Sequence, residues 1–342
     1  MPKKAKNLMI QIADMDNLRL AYKKTSLNKY ATFGYLQFKE FDEVNLRLIQ
    51  EELLDGSYQI GPYRTFTLYE PKERQISALG FKDRLVQHAL CNVIEPIMDA
   101  TLLPYTFACR QGMGTHACVS HVQSQLRQHN FSHCLKLDFK KYFRSIPCGV
   151  ATELYDRKIG CPATMALIIN IIPPSRTGIP IGSLTSQLTA NLIGGVADRF
   201  VHFTLRQRHW ARYMDDMVIL SNDPAELKKN FLQIQEYVQD RLKLDVSRWH
   251  ISPTRQGINF VGYRIWNTHK LIRKSSVKVA EKKIKIFVQY QEWEKLNRFL
   301  ASWLGHIQWA DCYNLAVHLL DKYPEIYPQL SRKYSGLSVQ HA

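Results

Sequence analysis

The chain has 342 residues, of which 45% are hydrophobic and 22% charged, so its composition is that of a globular protein and excludes a disordered or fibrous one. Its 46 Lys and Arg outnumber 30 Asp and Glu, and the formal net charge of +16 favours a polyanionic partner over charge that serves solubility alone. The seven cysteines form no CxxC pair, which indicates reduced thiols. Because no stretch has the apolar length of a secretory signal or a membrane span, we expect a cytoplasmic protein.

The first half of the chain predicts helices around one hairpin and one short strand. Residues 1–60 have the pattern of a helical extension with a basic start. Residues 63–79 alternate apolar and polar side chains, as a hairpin does. Residues 82–100 repeat apolar side chains at helical spacing, and the segment HCLKLDF at 133–139 predicts a short strand that ends near Asp138.

The second half predicts a long buried helix followed by strands. Residues 184–205 carry apolar or small side chains on nearly every face, which is typical of a buried helix. The segment MVILSN at 217–222 predicts a strand, and the next segment predicts a helix with Asp223 as its cap and Pro224 at its first position. Residues 257–266 predict a further strand.

The character of the sequence changes after about residue 270. Val277, Ala280, Ile284 and Phe287 share one helical face, and lysines cover much of the rest. The pattern predicts an amphipathic helix in a separate helical unit. A solvated face is the simpler interpretation of these lysines, and the pattern alone does not decide between it and a binding surface.

Two adjacent aspartates, Asp215 and Asp216, stand inside an otherwise apolar run. Two bare carboxylates cannot share a low-dielectric pocket, because their repulsion forces one to take up a proton. Divalent cations reverse that balance, since hard oxygen ligands suit Mg²⁺. With Asp138 as a third carboxylate, the pair could hold two Mg²⁺ ions about 3.5–4 Å apart. A turn that uses Asp-Asp only for its turn propensity remains the alternative.

The motifs around this pair resemble those of the reverse transcriptases of the bacterial, group II intron-like type. The sequence YMDD at 213–216 is similar to the YxDD box of that family. Six other segments resemble the remaining blocks of the family and follow one another in the family's order. They lie at residues 70–90, 105–119, 135–147, 178–192, 242–251 and 258–266.

The resemblance implies an α+β right-hand polymerase fold, with an antiparallel palm sheet plus helices and a C-terminal α-helical thumb. We expect an N-terminal extension, fingers, a palm in two segments with a connection between them, and the thumb. In chain order these are the N-terminal helical extension (1–60), the fingers (61–132), the palm segment with the first catalytic Asp (133–150), the connection (151–177), the second palm segment (178–268) and the thumb (269–342). We expect no maturase or endonuclease region after the seventh block.

By resemblance, the catalytic residues are Asp138, Asp215 and Asp216. With the carbonyl of Phe139 they would hold two Mg²⁺ ions, for which Mn²⁺ can substitute. The metals would activate the primer 3′-hydroxyl and neutralise the incoming triphosphate.

The resemblance also assigns residues to the nucleotide and to the primer–template. Phe143 stands at the steric-gate position that excludes a ribose 2′-hydroxyl, and Arg248 stands where many relatives carry a lysine thought to protonate the leaving group. An arginine does not easily give up a proton, so Arg248 would only stabilise charge. Core packing or a solvated surface is the alternative for each residue. The nucleotide set is Lys72, Arg74, Phe143, Ile181, Gln187, Tyr213 and Arg248, and the primer–template set is Arg110, Gly262, Tyr263, Lys282 and Lys285.

The fourth block departs from the ordinary family pattern, which reads P-Q-G and then S-P. This chain reads Pro180-Ile181-Gly182 and then Ser186-Gln187. Isoleucine offers contact area but no hydrogen bond, and losing such a bond should weaken discrimination between nucleotides. The pattern resembles reverse transcriptases of diversity-generating retroelements, which copy a template RNA with errors opposite adenines.

That subfamily implies a set of partners and a setting. The partners are template RNA, the cDNA or its primer, deoxynucleotides and a small basic accessory protein that forms a pentamer, with no membrane involved. The enzyme would be bacterial or phage-encoded, and its altered cDNA would replace part of a target gene. A retron, abortive-infection or intron-derived reverse transcriptase remains an alternative, as does a binding module that has lost catalysis.

Overall fold

The computed structural model describes residues 4–69 and 73–329, which divide into two units. The first unit comprises 4–69, 73–112, 137–208 and 229–249. The second comprises 113–136, 209–228 and 250–329.

The described residues form helices and strands whose bounds are as follows. The helices are α1 (Leu8–Ile12), α2 (Met15–Ser26), α3 (Phe33–Lys39), α4 (Asp42–Asp55), α5 (Phe81–Asp99), α6 (Thr115–His129), α7 (Tyr142–Ser145), α8 (Cys148–Asp156), α9 (Pro162–Ile171), α10 (Leu184–Arg199), α11 (Pro224–Leu242), α12 (Lys274–Gln289), α13 (Trp293–Ile307) and α14 (Tyr313–Asp321). The strands are β1 (Arg64–Leu68), β2 (Arg74–Ala78), β3 (His133–Phe139), β4 (Trp210–Tyr213), β5 (Asp216–Ser221), β6 (Val246–Pro253), β7 (Ile258–Phe260), β8 (Tyr263–Ile265) and β9 (Lys270–Ile272).

The core of the first unit is built on α5, which packs against α2 and α10. The predicted helices before residue 60 are confirmed as α1 to α4. Helix α2 begins where the sequence supplies a cap, because the Asp14 carboxylate accepts the backbone N–H groups of Asp16 (3.0 Å) and Asn17 (3.4 Å). On α5 the buried side chains include Leu85, Ala89 and Ile94, so the predicted helix turns its apolar face inward.

The predicted hairpin of residues 63–79 is confirmed as the antiparallel pair of β1 and β2, with Arg64 opposite Ala78 and Leu68 opposite Arg74. Elsewhere in the first unit, three backbone hydrogen bonds join residues 143–148 to residues 176–179. The N–H groups of Gly178, Ile179 and Cys148 donate to the carbonyls of Ile146, Phe143 and Arg176. Gly178 has φ +88°, and a Cβ there would lie 2.8 Å from the carbonyl oxygen of Arg144. Only glycine fits this close approach of two backbones.

A four-stranded sheet has the order β4-β5-β3-β6, and α6 packs against β4 in the second unit. The unit boundary falls within β3, after Lys136, and within β6, after Trp249. Strands β4 and β5 are antiparallel, and the side chains of Met217 to Leu220 on β5 are buried. The strand predicted at 217–222 and the helix with Asp223 at its start are both confirmed, since the Asp223 carboxylate accepts the Ala225 N–H at 2.8 Å.

Two sequence predictions are wrong in detail. Residues 257–266 are not one strand but the hairpin of β7 and β8, because Val261 (φ 46°) and Gly262 (φ 90°) form a two-residue turn of the type that reverses a chain tightly. The long helix predicted to residue 205 is α-helical only to Arg199, and a π-helical segment at Phe200–Thr204 follows.

The end of the described chain is helical, as predicted. Helices α12 and α13 pack together, and on α12 Ala280 and Ile284 are buried. No helix in the part of the chain that the structure describes combines the length and apolar character that crossing a membrane requires. All seven cysteines are free thiols, as their spacing predicted.

Candidate active site

The two adjacent aspartates lie at the tight turn between β4 and β5. Tyr213 pairs with Asp216 across the hairpin, so Met214 and Asp215 form the turn itself. Met214 has φ 59°, a conformation that side chains other than glycine rarely adopt and that often marks a functional site. The guanidinium of Arg212, which is fully buried, donates to the Met214 carbonyl at 2.7 Å. This hydrogen bond from Arg212 therefore stabilises the turn.

Asp216 makes an ion pair that the sequence analysis missed. The Lys136 ammonium lies 2.8 Å from Asp216 Oδ2 and 2.8 Å from the carbonyl of Asn259. The Lys136 and Asp216 side chains are only 17% and 22% exposed, so solvent screens this pair less than a surface pair. Lys136 precedes Asp138 by two residues on β3, and strand periodicity directs both to one face of the sheet. That spacing was the available signal.

Replacing Lys136 by Met should leave the Asp216 carboxylate half-buried without its ammonium partner. We expect a loss of about 1–3 kcal/mol of stability in EDTA, because the pair is partly shielded from water. Added Mg²⁺ should raise the melting temperature of the variant more than that of the wild type, since a divalent cation can replace the lost charge. Thermal unfolding with and without Mg²⁺ measures both effects.

Lys140→Met is the matched control for this prediction. Lys140 and Asp245 are 57% and 56% exposed and their charged atoms are 3.9 Å apart, so their loss should cost well under about 1 kcal/mol. Equal melting temperatures for the two variants would contradict a structural role of the Lys136–Asp216 pair.

Asp138, in the first unit, is held by a hydroxyl. The Ser247 Oγ lies 2.9 Å from Asp138 Oδ2 and 3.1 Å from the Asp138 carbonyl oxygen. The neighbouring Phe139 ring is buried and stacks on Tyr142 at 5.4 Å. These contacts fix the end of β3, which carries the predicted carboxylate and the predicted ligand carbonyl.

The predicted metal set is divided between the two units. Asp138 belongs to the first unit, whereas Asp215 and Asp216 belong to the second. Among residues 4–69 and 73–329, no group of three or more His, Cys, Asp or Glu side chains is arranged to hold a metal ion. A shared metal site of the three aspartates therefore stays a prediction.

The fourth block joins the hairpin of β1 and β2 through its backbone. The Ser77 N–H on β2 donates to the Ile181 carbonyl at 2.8 Å. Gly182 has φ +110°, and a Cβ there would lie 3.1 Å from both the Ile76 side chain and the Ser77 carbonyl oxygen. The Ile181 side chain is half-buried, and so is Phe143, whose ring meets Tyr142 edge-on at 6.1 Å. The structure thus brings Ile181 to the strand that begins at Arg74.

The other predicted nucleotide residues differ in their surroundings. Gln187 lies in the first turn of α10 and lines a cavity of about 140 Å³ together with Arg84 and His88, two residues that the sequence analysis did not assign. Arg74 and Arg248 are exposed. Lys72 lies outside the described residues. The Tyr213 hydroxyl, in the second unit, accepts a hydrogen bond from Thr115 at 3.3 Å.

Arg110 is engaged within the first unit. Its guanidinium pairs with both carboxylate oxygens of Asp99, at 2.5 and 3.0 Å, and donates to the carbonyls of Leu103 and Thr106, each at 2.9 Å. Only 10% of the side chain is exposed. The structure therefore shows Arg110 as a bridge between the end of α5 and the following loop, and its predicted template contact stays a prediction.

Tyr263 is fully buried in the second unit. Its hydroxyl lies 3.2 Å from His116 Nδ1 and 3.1 Å from His306 Nδ1, and it donates to the His306 carbonyl at 2.9 Å. Burial raises the pKa of Tyr263 to about 12, with a smaller contribution from Cys312. The side chain offers no exposed surface in this structure, and the primer contacts of Gly262 and Tyr263 stay a prediction.

A family model of reverse transcriptase (RNA-dependent DNA polymerase) matches residues 70–265, which is more than half of the 342 residues. The chain belongs to the reverse transcriptase family. It is therefore an RNA-directed DNA polymerase by family, and the blocks that carried the resemblance all lie within or next to the matched range.

Two curated proteins are distantly similar to this reverse transcriptase. Protein YkfC of Escherichia coli is 23% identical over 310 residues, which cover 76% of this chain and 78% of that protein. The putative COX1/OXI3 intron 1 protein of Saccharomyces cerevisiae is 21% identical over 211 residues, which cover 57% of this chain and 25% of that protein.

A solved structure supports the fold. The apo telomerase from Candida tropicalis has a TM-score of 0.53 and 10% sequence identity, and the match covers 82% of this chain and 61% of the telomerase chain. This chain thus spans about three fifths of the length of that telomerase. The likeness agrees with the predicted α+β right-hand polymerase fold, and the described elements mix helices with antiparallel strand pairs.

The lysines predicted to contact the primer–template of this reverse transcriptase are exposed on α12. Lys282 and Lys285 lie on the side of the helix opposite the buried Ala280 and Ile284. Their position is compatible with phosphate contacts, which need accessible ammonium groups. Their contact with nucleic acid stays a prediction.

Proposed function

We propose that this reverse transcriptase makes error-prone, adenine-mutagenised cDNA from a template RNA for mutagenic retrohoming in a diversity-generating retroelement. The observation that carries the proposal is the fourth block, in which Ile181 replaces the glutamine and Gln187 the proline of ordinary relatives. The enzyme acts in the cytoplasm on RNA, a primer and deoxynucleotides. A small basic pentameric protein is its proposed accessory partner.

The surroundings of Ile181 support reduced discrimination. Its backbone is fixed by Ser77, so the side chain projects from a defined position rather than from a loose loop. The half-buried isoleucine side chain donates and accepts nothing, so no hydrogen bond from this position helps to align the nucleotide sugar. Discrimination rests on differential binding in the transition state, and it falls when such a contact is lost.

The donor set of the predicted metal site fits a divalent cation. Carboxylate and carbonyl oxygens are hard ligands that suit Mg²⁺, and the Asp216 carboxylate already pairs with a positive charge, the Lys136 ammonium at 2.8 Å. Asp138, the Phe139 carbonyl, Asp215 and Asp216 would hold two Mg²⁺ ions. When bound, these ions activate the primer hydroxyl and neutralise charge on the triphosphate.

The chain's own residues complete the proposed mechanism. Ser247 holds the Asp138 carboxylate, and Arg212 holds the turn that presents Asp215. Lys72 and Arg74 bind the triphosphate, Arg248 stabilises the leaving pyrophosphate, and Phe143 excludes ribonucleotides. The primer and template contact the Gly262 turn and the basic face of α12.

We assign the regions of the fold as the family implies. The N-terminal extension is 1–60 and the fingers are 61–132, which contain β1, β2 and α5. The palm is 133–150 and 178–268, with the connection 151–177 between its two segments. The thumb begins at 269 and contains α12 to α14.

An intron-derived reverse transcriptase is the second candidate function. The match to the yeast intron protein favours it. The absence of P-Q-G in the fourth block counts against it, because ordinary relatives keep that glutamine.

Restoring the glutamine tests the proposal. We expect Ile181→Gln to lower misincorporation opposite template adenines about five- to tenfold, because one hydrogen bond contributes about 1–1.5 kcal/mol to discrimination. Sequencing the products of primer extension on a defined RNA template measures the change. The matched control is Ile169→Gln at an exposed position on α9, which should leave the error spectrum unchanged. Unchanged adenine errors in an active Ile181→Gln enzyme would contradict the assigned role of Ile181.

A further inference from the structure

A cavity of about 700 Å³ lies within the first unit, and none of the residues assigned to synthesis lines it. Its apolar wall comes from Met98 at the end of α5, Leu154 on α8 and Leu192 on α10, all of them buried. The volume falls in the range of small-molecule sites, about 300–1,000 Å³. The cavity is therefore large enough for an organic ligand.

The rest of the lining is mainly cationic. The lining includes four basic side chains and one acidic side chain, Asp156, which is paired with Lys4 at 2.9 Å. A net positive charge remains for a ligand to neutralise, and the basic residues are Lys4, Arg157, Lys158 and Arg199.

A backbone carbonyl in the cavity lining binds the Arg199 side chain. Its Nη1 donates to the Thr101 carbonyl at 3.1 Å. Burial lowers the pKa of Arg199, Asp198 and Tyr237 oppose that effect, and the positive charge of Arg157 lowers the pKa further. The positive charges of Arg157 and Arg199 thus repel each other, and a bound anion would offset that repulsion.

The N-terminal segment is fixed as one wall of the cavity. Ala5 forms a parallel bridge with Ile159: its N–H donates to the Lys158 carbonyl at 2.8 Å, and its carbonyl accepts the Gly160 N–H at 2.8 Å. A Cβ on Gly160 would lie 2.9 Å from the Lys4 Cβ, so the glycine makes room for this segment. Lys4 is therefore a built part of the cavity and not the free end of a basic tail.

We propose that this cavity binds a nucleotide, with the phosphate on the basic residues and the base against Met98, Leu154 and Leu192. Arginine side chains recognise phosphate oxygens with paired hydrogen bonds, and an apolar wall accepts the face of a base. Inorganic phosphate alone would leave most of the cavity and its apolar wall in contact with water. The nucleotide is either free or part of an RNA strand, and the proposal does not depend on the error-prone function.

Calorimetric titration of the full chain with AMP tests the free-nucleotide source. EDTA is present throughout, so that metal-dependent binding at the polymerase site does not contribute. We expect binding of one AMP, weakened at least tenfold by the double substitution Arg157→Ala and Lys158→Ala. The matched control is Lys228→Ala with Lys229→Ala, an exposed adjacent pair of lysines on α11. Gly160→Ala, which crowds Lys4, should also weaken binding.

Salt dependence of binding to a 12-nucleotide single-stranded RNA tests the strand source. Each phosphate contact adds about 0.7 to the slope of log affinity against log salt, so the cavity double variant should lower that slope by about 1.4 relative to the lysine control. A loss of AMP binding in the cavity double variant identifies a free nucleotide. A lower RNA slope in that variant, when the wild type binds no AMP, identifies a strand. If the cavity double variant and the lysine control behave alike toward AMP and toward the RNA, the proposal is overturned.

Discussion

Asp215→Asn is expected to abolish DNA synthesis, with a fall in rate of about 10³-fold or more. A bound metal supplies several kcal/mol of charge stabilisation in the transition state, and ~4 kcal/mol corresponds to that factor. Asparagine keeps the shape of the side chain but removes the negative charge that a divalent cation requires. Asp215 stands in the turn itself, so the substitution should leave the β4–β5 pairing intact. Single-turnover primer extension measures the fall.

Asp223→Asn is the matched control for this result. Asp223 follows the far end of β5 and caps α11 through the Ala225 N–H, and asparagine caps a helix as well as aspartate does. We expect full activity for Asp223→Asn and equal melting temperatures for Asp223→Asn and Asp215→Asn. Substantial synthesis by a folded Asp215→Asn enzyme would mean that this carboxylate does not hold a catalytic metal.

Arg212→Met is expected to give the largest loss of stability, about 3–5 kcal/mol. The substitution removes a fully buried guanidinium and leaves the groups that interact with it uncompensated. The Met214 carbonyl would lose its 2.7 Å donor, and the turn at φ 59° would lose a contact that holds it. Urea unfolding measures the stability, and primer extension at low temperature measures what activity survives.

Arg212→Lys separates charge from geometry. Lysine keeps the charge but lacks the planar fork of donors, so this variant should recover part of the stability and little of the activity. A loss below about 1 kcal/mol for Arg212→Met would show that the turn is held by other contacts.

Local patterns predicted the elements that carry the catalytic motifs. The segment HCLKLDF predicted β3, which ends at Phe139, one residue after the predicted end, and the apolar run after Asp216 predicted β5. Asp223 and Pro224 predicted the start of α11, because a cap and a first-turn proline act within a few residues. These successes share one cause, since each depends on interactions between near neighbours in sequence.

The misses depend on contacts between distant segments or on backbone conformation. The Lys136–Asp216 pair joins residues 80 apart, and the Ser247–Asp138 contact joins residues 109 apart. The two-residue spacing of Lys136 and Asp138 indicated a shared face of β3, but no local pattern identifies Asp216 or Ser247 as the partner. The turn at Val261 and Gly262 was missed because valine is typical of a strand, although the glycine next to it was the available sign of a reversal. The nucleotide cavity depends on an N-terminal segment pairing with residues near 159, which the sequence does not show.

The error spectrum of the wild-type enzyme tests the proposed function most directly. It is read by sequencing cDNA made from a defined RNA template with Mg²⁺ and all four deoxynucleotides. The accessory protein and the RNA adjacent to the native template are included in a parallel reaction. A diversity-generating enzyme should concentrate its errors opposite template adenines in at least one of the two reactions. Uniformly rare errors at all four template bases in both reactions would contradict the proposed function and would favour the intron-derived alternative.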